Sequence, residues 1–165
     1  MRKRAILLLM FCVAVFLIGC QAAKVKQAVE GLKKDVAEMG TKIEETKTVF
    51  AAVDEIEECV TEKECECEKF MGKIDEAKAV VAEGLALEKD VAALKDSLAV
   101  LDKKATGKVK EDATALAAEV DGFTQVIEDL KAADTKLDEC KALCEERLAA
   151  KEKKPSPPPR PPAKK

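Results

Sequence analysis

From Val25 to about Leu148 apolar residues recur at alternating steps of three and four, and no proline interrupts them. The first run is Val25, Val29, Leu32, Val36, Met39, Ile43, a polar Thr46, then Phe50 and Val53. The second is Val80, Gly84, Leu87, Val91, Leu94, Leu98 and Leu101, with one weak position. The third is Val109, Ala113, Leu116, Val120, Phe123, Ile127 and Leu130, then Leu137, Cys144 and Leu148, with Asp134 and Lys141 as interruptions. Such spacing lays one narrow apolar stripe along a helix, as in a coiled coil or slender bundle. Lys, Glu and Ala, all good helix formers, fill most other positions. The pattern predicts an all-α fold.

The clearest break is Ala105-Thr106-Gly107-Lys108, where glycine can end a helix in a left-handed cap and the stripe restarts at Val109. Segments 66–104 and 109–148 are similar in length, which suits an antiparallel hairpin turning at Gly107. A softer break falls near Phe70-Met71-Gly72, where the stripe loses register. Two architectures follow. One is a three-helix coiled-coil-like bundle, which the pattern favours. The other is an elongated helical hairpin, with one long helix over 22–104 and a second folded against it.

Composition narrows the chemistry. The chain has 165 residues and 47% hydrophobic side chains, but much of that share is alanine, which buries little area per residue. There is no His, Trp or Tyr. Without histidine the commonest general base at neutral pH is missing, as is the commonest ligand of catalytic metals. The expected class is non-catalytic, with no cofactor beyond a covalent lipid introduced below. Residues 20–150 hold twenty basic and thirty-one acidic side chains, a net of −11. That balance argues against nucleic-acid binding by the body.

The N-terminus reads differently. Arg2-Lys3-Arg4 precedes an apolar run from Ala5 to Ile18, then Gly19-Cys20. Fourteen apolar residues span only about 21 Å as a helix, short of a ~30 Å hydrocarbon core. A basic start and a short apolar core are the marks of an export signal. Leu17-Ile18-Gly19-Cys20 resembles the lipobox of bacterial lipoproteins. That resemblance implies a type II signal peptide over 1–19, a lipid on Cys20 and anchoring of the mature chain to a membrane. More than one acyl chain makes such anchoring stable. Gln21, where the inner-membrane retention signal of enteric bacteria has Asp, favours the outer membrane by the same analogy. The expected layout is therefore a signal peptide over 1–19, a helical body over 20–150 and a tail over 151–165.

Five cysteines follow Cys20: Cys59, Cys65, Cys67, Cys140 and Cys144. Outside the cytoplasm their default fate is a disulfide. A hairpin folded about 106–107 brings the region of Cys67 beside that of Cys144, so a Cys67–Cys144 link is expected, with Cys140 joining Cys65 or Cys59. Cys65 and Cys67 would lie about 200° apart on a helix, unsuited to pairing with each other. An odd count leaves one thiol over, or one that links two chains into a homo-oligomer. The alternative is a metal or redox site built on Glu64-Cys65-Glu66-Cys67-Glu68 with Cys140 and Cys144. None of the familiar zinc spacings is present, so no metal is expected.

Residues 54–68 carry eight acids and one Lys63 without the glycine-centred spacing of a calcium loop, and read as a solvated helix face. All six prolines lie between Pro155 and Pro162, in a basic tail expected to be disordered or extended. The outline of N-terminal lipid, heptad helices and C-terminal lysine loosely resembles the murein lipoprotein family. That likeness implies peptidoglycan attachment through Lys165. The cysteines and the folded-back hairpin depart from the family's single trimeric helix. The expected role is structural or interactive in the cell envelope, with peptidoglycan or another envelope protein as partner. The alternatives are a surface binding module or adhesin, and a metal or redox protein.

Overall fold

The computed structural model describes residues 2–62 and 65–152, with side chains over 21–62 and 65–151. The Cys20 side chain, the Pro-rich tail and Lys165 lie outside these described residues. The elements are α1 (Arg2–Thr61), α2 (Cys67–Ala86), α3 (Glu88–Asp102) and α4 (Lys108–Glu152), with no strand among the described residues. Only Leu87 separates α2 from α3, and its backbone is itself right-handed helical at φ −76 and ψ −11. Its N–H donates to the Gly84 carbonyl three residues back, at 3.1 Å, so the helix tightens for one turn and continues. The chain thus makes three helical legs, as the stripes favoured, rather than one helix over 22–104.

The first break falls between Thr61 and Cys67, not at Phe70-Met71-Gly72, and Gly72 sits inside α2. Like charge favours a break at the first of these places. Continued helix would stack Glu62 on Glu66 and Glu64 on Glu68, like-charge pairs four residues apart. A lone interior glycine costs only about 1 kcal/mol, which an otherwise favourable helix tolerates.

The chain forms two compact units, Met1–Lys47 with Ala82–Lys131 and Thr48–Val81 with Ala132–Lys165. In the first, Val29, Val36, Met39 and Ile43 of α1 are buried, as are Val91 and Leu98 of α3 and Ala113, Leu116, Val120, Phe123, Ile127 and Leu130 of α4. Gly107 has φ 56. It does not cap the end of α3 as the sequence suggested. Its carbonyl instead accepts the N–H groups of Lys110 and Glu111 at 3.0 and 3.3 Å, which starts α4. Lys104 and Ala105 close α3 by donating to the Leu101 carbonyl at 2.9 and 2.8 Å. Lys33–Asp112 at 3.0 Å, Lys95–Asp121 at 2.7 Å and Lys131–Glu88 at 2.7 Å tie leg to leg. These pairs are exposed, so each is worth no more than about 1 kcal/mol and serves register more than stability.

One layer of this unit departs from the alternation of three and four. Buried positions in α1 run Met39, Ile43, Thr46, Val49, Val53; in α4 they run Phe123, Ile127, Leu130, Ala133, Leu137. In the middle leg they run Ala77, Val81, Gly84, then half-buried Leu87 and buried Val91. Each leg takes two successive steps of three, centred on Thr46, Gly84 and Leu130. Gly84 lies against the other two. A Cβ on Gly84 would lie 2.5 Å from Leu130 Cδ1 and 3.1 Å from Thr46 Cγ2. An inserted three-residue step overwinds a helix locally, and the tight turn at Leu87 is that overwinding made visible. The buried Thr46 hydroxyl donates to the Ile43 carbonyl at 2.8 Å, so its polarity is satisfied within its own helix.

The skip corrects the stripes beyond it. In the second unit Val49 is buried where Phe50 was expected. Ala133 and Cys140 are buried beside the expected interruptions Asp134 and Lys141. Val53, Ile56 and Val60 of α1, Ile74, Ala77 and Val81 of α2, and Leu137 and Cys144 of α4 complete that core. Its rim is ion-paired through Lys73–Glu55 at 2.7 Å, Lys136–Glu57 at 2.6 Å, Lys141–Asp75 at 2.8 Å and Lys78–Asp138. Among the described residues no helix is long and apolar enough to cross a membrane.

Candidate functional site: a cluster of cysteine sulfurs

The second unit gathers the five body cysteines. Cys59 lies in the penultimate position but one of α1, Cys65 in the connection after it, Cys67 at the first position of α2, and Cys140 and Cys144 one helical turn apart on α4. The connection is tied down by backbone bonds. Glu62 N–H donates to the Cys59 carbonyl at 3.1 Å, and Cys67 N–H to the Cys65 carbonyl at 3.0 Å. The Glu66 carbonyl receives Lys69 and Phe70 N–H at 2.9 and 3.3 Å, opening α2. From α4, Arg147 donates to the Glu62 carbonyl at 2.8 Å and pins the end of α1 to that leg.

This turn decides the sulfur geometry. The Sγ atoms of Cys65, Cys67 and Cys144 all lie within 4.8 Å of one another, and all three residues are buried. Cys59 Sγ lies 2.8 Å from Cys65 Sγ. The helical argument that kept Cys65 and Cys67 apart does not apply, because Cys65 precedes the helix and the tight turn swings both sulfurs to one side. The expected neighbourhood of Cys67 and Cys144 is present. The close sulfur neighbour of Cys59 is Cys65 rather than Cys140, and Cys140 stands outside the trio of Cys65, Cys67 and Cys144.

As thiols these groups hold their protons. Burial, then the Cys59 contact, pushes Cys65 up to about 12. Burial, then a hydrogen bond with Cys67, pushes Cys144 up to about 11, with Arg147 opposing only in part. Burial and the charges of Glu57 and Glu139 also raise Cys140. Reactive cysteines are normally lowered by nearby positive charge, and these are the reverse. The arrangement can close disulfides with little movement, since a 2.8 Å separation is well inside ordinary sulfur contact and the bond itself is about 2.05 Å. The same sulfurs have the spacing to hold a soft ion, because tetrahedral thiolates at about 2.3 Å from a metal sit about 3.8 Å from one another.

Two signals in the sequence bore on this site. Alternating glutamates from Glu62 to Glu68 span the place where α1 gives way to α2. The register skip, which moves Cys140 onto the stripe in place of Lys141, left only the paired interruptions at Asp134 and Lys141 as its trace. Compared with known protein families, curated proteins and solved structures, the chain finds no match.

Proposed function

We propose that this chain is a lipid-anchored bacterial envelope protein with a structural or interaction role and no catalysis of its own. The observation that carries the reading is the ordered series Arg2-Lys3-Arg4, an apolar run, then Leu17-Ile18-Gly19-Cys20, joined to a helical body. In this reading Cys20 carries the acyl chains and the body stands off the membrane, at the outer membrane in a Gram-negative cell. Disulfides Cys59–Cys65 and Cys67–Cys144 staple the alanine-rich core, and Cys140 is left over. The second link would close a loop of roughly 80 residues, worth about 4–5 kcal/mol by chain entropy, against about 2 kcal/mol for the short first loop. The basic Pro-rich tail reaches an anionic wall or partner surface, with Lys165 as its attachment point to peptidoglycan.

Growth on labelled palmitate tests the anchor. Wild type incorporates label and Cys20→Ala does not. Equal label in both ends the proposal.

A second reading is favoured by the three buried sulfurs within 4.8 Å, with Cys59 as a fourth ligand to a zinc-like ion. Thiol titration of protein isolated from cells under non-reducing conditions separates the two. One free thiol supports the staples; five, with stoichiometric zinc, support the ion site.

A further inference from the structure

The charges of the first unit are not evenly spread. Residues 20–27 and 103–110 contain Lys24, Lys26, Lys103, Lys104, Lys108 and Lys110 and no carboxylate, in a body that is otherwise strongly acidic. The fold brings these two stretches together. Gln21, Lys24 and Val25 of α1 line the same cleft as Lys104, Thr106 and Val109 around the α3–α4 turn. All six lysines are exposed.

The fold makes limited use of them: Lys103 caps the C-terminal end of α3, where the helix dipole favours positive charge. Nine lysines elsewhere are ion-paired, whereas among the described residues none of these six is. Asp112, the carboxylate two residues beyond Lys110, is engaged by Lys33 at 3.0 Å. Lys108 and Lys110 also sit in the first turn of α4, where the helix dipole disfavours positive charge. Glu111, in the same turn, offsets them in part. These ammonium groups stand in water, open to an anionic partner from outside the chain, and the place of this end follows from Gln21, which immediately succeeds the proposed acylated residue.

We propose that this lysine-rich end, formed by residues 21–26 and the α3–α4 turn, is a docking surface for anionic phospholipid headgroups, pressed against the membrane by the acyl chains on Cys20. The proposal rests on the lipoprotein reading for its placement. Anchoring by lipid alone leaves a body free to tilt; adding surface charge fixes one face to the bilayer. A lysine close to an anionic surface favours binding by about fivefold, so neutralising four of them weakens the contact on the order of several hundredfold. The attraction reaches only about a Debye length, about 8 Å in physiological salt, so it acts on this end and fades beyond it.

The test uses the full protein purified from its native membranes and reconstituted in vesicles. One set is neutral phosphatidylcholine; the other contains one-third phosphatidylglycerol. Brief amine acylation followed by mass spectrometry reads each lysine. In anionic vesicles labelling of Lys103, Lys104, Lys108 and Lys110 should fall at least fivefold, and 0.5 M salt should restore it. Lys34 and Lys89, exposed elsewhere on the same unit, should be unaffected. A protein with Lys103, Lys104, Lys108 and Lys110 all changed to Gln serves as the second arm. The helical circular dichroism should be unchanged, while protection of Lys24 and Lys26 by anionic lipid is lost. Equal labelling of the turn lysines in both vesicles overturns the proposal. So does retained protection of Lys24 and Lys26 in the variant. The intact mass of the same preparation reports acylation separately. If no fatty acid is present, flotation of the protein with anionic but not neutral vesicles still supports the docking surface, and flotation with neither refutes it.

Discussion

Gly84 offers the sharpest test of the packing. Replacing an interior helical glycine by alanine ordinarily stabilises a helix by about 1 kcal/mol. At Gly72, in the same helix, a Cβ would meet nothing within 4 Å, so Gly72→Ala should raise stability by close to that amount. At Gly84 the new methyl would fall 2.5 Å from Leu130 Cδ1 and 3.1 and 3.3 Å from Thr46 Cγ2 and Cβ. Leu130 is fully buried and has little room to turn, and Thr46 is β-branched and stiff. Overfilling a tight core costs about 1–3 kcal/mol. After subtracting the propensity gain, Gly84→Ala should destabilise by about 1 kcal/mol, leaving the two variants about 2 kcal/mol apart. Urea unfolding followed at 222 nm, with the cysteines held in one redox state, measures both. A double-mutant cycle with Leu130→Ala should show positive coupling, because the truncated side chain makes room for the methyl. If Gly84→Ala stabilises as much as Gly72→Ala, the three legs do not approach as described and the register skip loses its physical basis.

Gly107→Ala should destabilise by about 1–2 kcal/mol through its positive φ alone, since a Cβ there meets no neighbour; Gly107→Asn should recover part of the loss in thermal melts. In the fully reduced protein, Cys65 and Cys144 have folded-state values of about 12 and about 11 against an ordinary 9.0. The folded state holds these protons more tightly, so their contribution is complete below pH 9 and is lost as pH rises through 11 to 12. Urea midpoints of the reduced protein should therefore fall between pH 8 and pH 10.5 more steeply than those of the Cys65→Ser, Cys144→Ser variant; parallel slopes would contradict the burial of these sulfurs. In oxidised protein, Cys144→Ser should cost about 2 kcal/mol more than Cys59→Ser, because it opens the longer loop. The gap should shrink in reductant, and equal losses would mean that the links lie elsewhere.

The helical class and three legs could be read from the stripes because an apolar residue every three or four positions has few other uses. The turn at Gly107 was legible for the same local reason, although the glycine begins α4 rather than ending α3. What escaped was collective. Thr46 looked like a flaw in the stripe and Phe50 like its natural successor, yet the buried position is Val49, because the shift in α1 is matched by shifts at Gly84 and Leu130. No single leg contains the information that the other two skip at the same level. The cysteine site shows the same limit. Its members stood out by type, and the meeting of Cys67 with Cys144 followed from a hairpin. The contact of Cys59 with Cys65 depended on where the helix ended, a boundary that the like charges of Glu62, Glu64, Glu66 and Glu68 favour without fixing.

The layer of Thr46, Gly84 and Leu130 also restricts how such a chain can drift in length. Each residue added to a helix turns everything after it by about 100°, so one insertion in any leg would roll its charged flank into the interior. Shifting a single leg by three residues fares no better, since the compensating offsets in its two companions would stay where they are. Descendants of this sequence could lengthen only by matched blocks in all three legs. The connections and the tail would absorb the remaining variation.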